Sequence, residues 1–130
     1  MHRSRDIATR ILAVLLAAGG AEAAQAAPDP ARGKQLFARC QACHAVAAGK
    51  VNPLGPTMVG VFGAKAATRP GYAYSAALAK SGLVWNAPTL DRWLARPAAT
   101  VPGNRMAFAG VPDAGQRADI IAYLATLPRK

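Results

Sequence analysis

Two cysteines and a histidine within five consecutive residues, Cys40-Gln41-Ala42-Cys43-His44, carry the most definite chemistry in this sequence. A C-x-x-C-H run is the pattern at which haem is attached covalently. The thiols add across the vinyl groups as thioethers, and the adjacent imidazole is held beneath the iron as an axial ligand. The tether leaves His44 little freedom to lose on ligation. Other uses of two thiols fit less well. A thioredoxin-like pair requires a βαβ context, and strand-type alternation is absent here. A structural zinc site requires four ligands, yet these are the only cysteines and the only other histidine is His2.

An iron held by His44 has a second axial position. Beyond residue 26 there is no other His and no other Cys, which leaves Met58, Met106, a Tyr, a Lys or nothing. A thioether is a soft donor that favours Fe(II) and raises the potential. A methionine is by default core filler, and Met58, beside Val59 in a Gly/Pro loop close to the tether, reads that way. Met106 follows Pro102-Gly103 roughly sixty residues after the haem motif, far enough along the chain to return over the opposite face.

The surrounding elements are helical. Asp29 and Pro30 suit the N-cap and first position of a helix. Gly33, Leu36, Phe37 and Cys40 then share one face, so this helix runs into the haem motif. Gly33 leaves that face bare for a close crossing. From Ala45 to Tyr74 the breakers Pro53, Gly55, Pro56, Gly60, Gly63, Pro70 and Gly71 predict a long loop. Its apolar residues Leu54, Met58, Val61, Phe62, Tyr72 and Tyr74 are expected to face the ring. Ser75 caps a short helix over 76–81, and Asn86 caps another from Ala87 to Arg96 with Leu90, Trp93 and Leu94 on its apolar face. Residues 97–112, with three prolines and two glycines, predict a second loop. Asp113 and Gln116 resemble a capping box for a last helix striped by Ile120, Tyr123, Leu124 and Leu127 and ended by Pro128.

Residues 1–26 have the form of a secretory signal peptide: Arg3, Arg5 and Arg10, an apolar stretch from Ile11 to Ala18, and Ala24-Gln25-Ala26 as cleavage site. An uncleaved N-terminal anchor is the weaker alternative. Residues 27–130 then form one domain located in the periplasm. In an oxidising compartment the two thiols would pair with each other, but so short a loop stabilises little; haem attachment gives them a structural purpose. Without the leader, thirteen Lys+Arg stand against four Asp+Glu, a net charge of +9, less up to two once haem propionates are present. Such basicity suits acidic docking surfaces on redox proteins, or transient association with an anionic membrane surface. No recognition motif or basic stripe with aromatics speaks for nucleic acid. A domain of about 100 residues buries only somewhat over ~60 per cent of its unfolded surface, so a flat apolar cofactor at its centre supplies core that side chains do not.

From about Gly33 to Leu124 the chain resembles the class I cytochromes c of mitochondrial and alphaproteobacterial type. The matching stretches are GKQLFARCQACH, GPTMVGVFGAKA, PGYAYSAAL, SGLVWN, TLDRWLARP, VPGNRMAFAG and RADIIAYL, in the family's order. The resemblance implies an all-α fold of three to five helices with long loops wrapped around one haem c, bound through Cys40 and Cys43. It implies crossed terminal helices, with Gly33 and Phe37 against Ile120 and Tyr123. It also implies Met106 as sixth ligand, the Pro56 carbonyl accepting from His44 Nδ1–H, and Tyr74 and Trp85 bonded to a haem propionate. There are departures. Ala64 stands where an Arg near a propionate is frequent, Leu78 where an Asn is common, Asn104 for a Thr, and Trp93 where a Tyr approaches the Met sulfur. Ala98 and Ala99 stand where two lysines would ring the haem edge, while Arg39 and Arg105 keep part of that positive face.

The function implied is that of a monomeric single-electron carrier with no catalytic residue. A haem enzyme or gas sensor requires an open distal site and an acid–base residue there, for which no second His is present beyond residue 26. A dedicated acceptor of one periplasmic dehydrogenase is a further reading that the same residues allow.

Overall fold

The computed structural model describes Gly20 and residues 24–129. The expected leader lies largely outside these; Ala24-Gln25-Ala26 is exposed irregular chain. Five α-helices follow: α1 (Pro30–Phe37), α2 (Ala76–Lys80), α3 (Ala87–Ala95), α4 (Pro97–Thr100) and α5 (Ala114–Thr126). A 3₁₀ turn, Ala38–Ala42, continues α1 into the Cys-Cys-His run. Among the described residues extended pairing is confined to isolated bridges, Asn52 with Gly55 and Lys65 with Val84.

Four of the five helices begin where a side chain satisfies free N–H groups, α4 being the exception. Asp29 accepts from Ala31 and Arg32, Ser75 from Leu78, Asn86 from Thr89 and Asp113 from Gln116. The reciprocal half of the capping box, a bond from the Gln116 side chain to the Asp113 N–H, is not formed. The loop expected over 97–112 is interrupted by α4. Arg96 leaves helical geometry (φ −155°, ψ 86°), and Pro97, with its fixed φ, restarts one turn as its first residue. Four residues are too few for a periodic signal, which is why the sequence shows only the breakers.

The crossing of α1 and α5 organises the molecule. A Cβ on Gly33 would collide with the backbone carbonyl of Asp119 and lie 2.9 Å from Tyr123 Cβ, so only glycine permits this approach. The rings of Phe37 and Tyr123 pack 5.5 Å apart beside it. Asp119 is 1% exposed. It accepts from the Asp29 backbone N–H at 2.7 Å and from Arg32 Nε, so α5 grips the first turn of α1. The sequence reading passes over Asp119, because a single acid beside an apolar stripe looks like a solvated position. Arg117, also on α5, donates to Asp91 of α3 at 2.7 Å and to the carbonyls of Val111 and Pro112, fastening α3 and the chain before α5 to α5.

Candidate functional site

A cleft of about 450 Å³ opens between the helices and the two loops, a size within the range of small-molecule and cofactor sites. All eight residues singled out as cofactor-binding line it: Cys40, Cys43, His44, Pro56, Tyr74, Trp85, Trp93 and Met106. Of the loop residues expected to face a ring, Leu54, Met58, Val61, Tyr72 and Tyr74 line the cleft but Phe62 does not. Phe62 packs, half-buried, against the hydrophobic core. In a loop without a fixed period, nothing in the sequence separates inward from outward positions.

One wall is built on the Cys-Cys-His run. The 3₁₀ turn is closed by Cys43 and His44 N–H bonds to the Cys40 carbonyl, at 3.0 and 2.9 Å, which bring both sulfurs and the imidazole to one edge. His44 Nδ1 lies 2.8 Å from the Pro56 carbonyl, an arrangement that holds the proton on Nδ1 and leaves Nε2 as the donor atom. Burial pushes the imidazole below its ordinary pKa, with the Pro56 bond acting against it, which favours the neutral ligating form. Burial pushes the Cys40 thiol up, opposed by the charge of Arg39. Gly55 completes this wall: a Cβ there would sit 2.7 Å from the Cys43 carbonyl and 3.0 Å from His44 Cε1. The sequence reading counts Gly55 as one loop breaker among several, and only the close approach reveals it as the residue that lets the chain lie against the imidazole.

The opposite loop is fixed by Asn104. Its side-chain amide donates to the carbonyls of Pro97 and Val101, at 3.0 and 2.9 Å, and its Oδ1 accepts from the Met106 N–H at 2.8 Å. Met106 is thereby hung from α4. Arg105 reaches across to the Ala73 carbonyl at 3.0 Å and joins the two loops over the cleft. Met58 also lines the cleft, but its N–H is bonded to the Ala45 carbonyl at 2.8 Å, next to the tether.

The remaining wall is aromatic. Residues 63–66 and 83–85 pair through three backbone bonds of 2.8–2.9 Å that set Trp85 in place, its ring centroid 5.2 Å from that of Trp93. Tyr72 and Tyr74 stack edge to face at 5.1 Å. Four cations line the cleft (Arg39, Lys65, Arg69 and Arg105) and no Asp or Glu does. An apolar slot, two thiols and an imidazole at one edge, and cations without carboxylates fit a flat porphyrin carrying two carboxylates. A zinc site does not fit, since no group of three or more His, Cys, Asp or Glu converges among the described residues.

Comparison with known proteins places the chain in a family. The family model for cytochrome c matches residues 30–128. Cytochrome c2 of Rhodomicrobium vannielii is 47% identical over 103 residues, 79% of this chain and 82% of that protein. Cytochrome c2 iso-2 of Magnetospirillum fulvum is 50% identical over 91 residues, 70% of this chain and 94% of that one. Among solved structures, cytochrome cH from Methylobacterium extorquens superposes with a TM-score of 0.71 at 50% identity, covering 75% of this chain and 98% of that one. The chain belongs to the cytochrome c family. It is a mono-haem c-type electron carrier whose single haem c is bound covalently through Cys40 and Cys43, and its partners are redox proteins. When bound, the haem supplies the Fe(II)/Fe(III) couple; the chain's own residues hold it, keep water away and set its surroundings.

Proposed function

We propose that the protein is a periplasmic single-electron carrier whose iron is ligated by His44 and Met106, so that both axial positions are filled and nothing is transformed at the site. The observation that carries this reading is the separate anchoring of the two walls. Met58 is fastened by its backbone to Ala45, one residue from His44, and so belongs to the histidine's side. Met106 hangs from α4 through Asn104, independent of the tether, on a loop that lines the same cleft. A soft thioether there stabilises the reduced state. Pro56 orients His44, while Tyr74 and Trp85 face the haem propionates and Trp93 packs beside the methionine. The other parts of the reading are a leader over 1–26 that is removed on export, a monomeric domain over 27–130, and docking on acidic faces of donor and acceptor enzymes, with transient contact to anionic membrane. They rest on the composition of the leader and the surplus of thirteen basic over four acidic residues beyond it. Among the described residues no helix is long and apolar enough to cross a membrane.

The test is spectroscopic. Ferric wild-type protein should be low-spin with the weak far-red absorption of a sulfur–iron bond, and the ferrous form should resist carbon monoxide. Met106→Ala should abolish the band, open the iron to carbon monoxide and lower the potential. Met58→Leu, a swap of similar volume, should leave all three unchanged. Loss of the far-red band in Met58→Leu and its retention in Met106→Ala would reverse the assignment.

A further inference from the structure

Of the four cations on the cleft wall, Arg39, Lys65 and Arg105 are exposed to solvent, and Arg69 alone is half-buried. Its Nε is fully buried and has no hydrogen-bond partner, the one such side-chain atom among the described residues. Its Nη2 makes a single long bond of 3.4 Å to Thr68 Oγ1. The side chain separates two cavities. On one side is the cleft; on the other is a smaller pocket of about 220 Å³ that also holds Lys50 and Arg129. Neither cavity is lined by an Asp or Glu. A guanidinium needs an acceptor for its buried N–H, and a buried charge needs a counter-charge. Among the described residues neither is present.

We propose that Arg69 is a cofactor-binding residue, its guanidinium donating to a haem carboxylate and furnishing from this position the cation that Ala64 does not. The site rests on the reading that Tyr74 and Trp85 face the propionates. Arg69 lies in the same wall, five residues before Tyr74. Burial pushes the Tyr74 phenol up, and a hydrogen bond to the Arg69 backbone, then the Arg69 charge, pull it back. Planar, permanently charged and forked, an arginine matches a carboxylate's geometry better than the exposed Lys65 does. It acts electrostatically: a cation at the carboxylate opposes the extra positive charge of the oxidised haem and keeps the carboxylate ionised to lower pH.

The experiment is a redox titration of the holoprotein over a range of pH, for wild type, Arg69→Gln, Arg69→Lys and Tyr74→Phe. Among the described residues, the titratable and charged groups lining Arg69's two cavities are Lys65, Tyr72 and Tyr74 on its own loop, Arg39, Arg105 and His44 in the cleft with Cys40 and Cys43 taken up by the haem, and Lys50 and Arg129 in the second pocket. None of these described groups is a carboxylate, so a bend of the potential in the acid range is assigned to the haem. Arg69→Gln should lower the potential and move the bend to higher pH, while Arg69→Lys should stay near wild type in both. If Arg69→Gln changes neither and Tyr74→Phe changes both, the carboxylates lie at this wall but Arg69 is not their partner. If neither variant changes them, the placement of the carboxylates is itself wrong. Should Arg69→Gln fail to retain haem, nitrogen-15 NMR of the wild-type holoprotein decides. An Arg69 Nε–H protected from solvent and shifting with the acid bend supports the pairing, and rapid exchange overturns it.

Discussion

Close tolerances surround the imidazole of His44. His44 is placed by a covalent tether on one side and by the Pro56 carbonyl on the other, and Gly55 leaves no room between them. Gly55→Ala should therefore push the ring or the Cys43 carbonyl aside. Thermal unfolding of the holoprotein should register a loss of about 1–3 kcal/mol, the usual cost of overpacking, together with a shifted potential from a tilted ligand. An unchanged melting temperature and potential would mean the loop absorbs the methyl group. In the sequence the groups with intrinsic chemistry stand out by type: a thiol pair, an imidazole and two methionines. Residues that act through geometry stay hidden. Gly55, Asn104 as the hook for Met106, and Arg69 with its unpaired Nε acquire meaning only once distant segments meet.

Helices α1 and α5 are held together by a missing side chain and a buried charge. Gly33→Val should force Asp119 and Tyr123 away and cost roughly 3 kcal/mol or more, at the upper end of overpacking effects; denaturant titration of the holoprotein measures this. Asp119 makes the same interface sensitive to acid. The Arg32 guanidinium, and next the Asp29 N–H, hold its carboxyl below the usual carboxylate range. A lowered folded value means stability that is complete above the ordinary carboxylate pKa and is lost as pH falls through the folded one. Asp119→Asn should accordingly be less stable near neutrality and show a flatter decline on acidification. A parallel decline in both proteins would remove Asp119 from the account. Four helix starts were legible because each is marked by Asp, Ser or Asn at the cap. α4 was not, being one turn between prolines.

As a whole, the molecule is a thin shell around a slot. Most of its buried apolar side chains form one cluster, and partly buried residues packed against it, Met58, Leu78 and Met106 among them, line the cleft instead of completing a core. Haem-free protein should lack a cooperative thermal transition, and haem should stay with the holoprotein in acidified denaturing solvent, as thioether bonds require. Free haem in the extract would contradict the covalent attachment. The surplus of basic residues belongs to the same scale. Electron exchange with an acidic redox partner should slow steeply between low and physiological ionic strength, and stopped-flow rates across a salt series would show it. The fold class and the helical order could be read from the sequence because family-like stretches run through most of the chain; which loop residues line the cleft could not, as Phe62 demonstrates.

The grip of Asp119 on Asp29 spans 90 residues. The clasp therefore forms only once α5, close to the end of the sequence, is present. A chain cut short before α5 leaves the first turn of α1 without its anchor, although α1 and the haem motif are themselves intact.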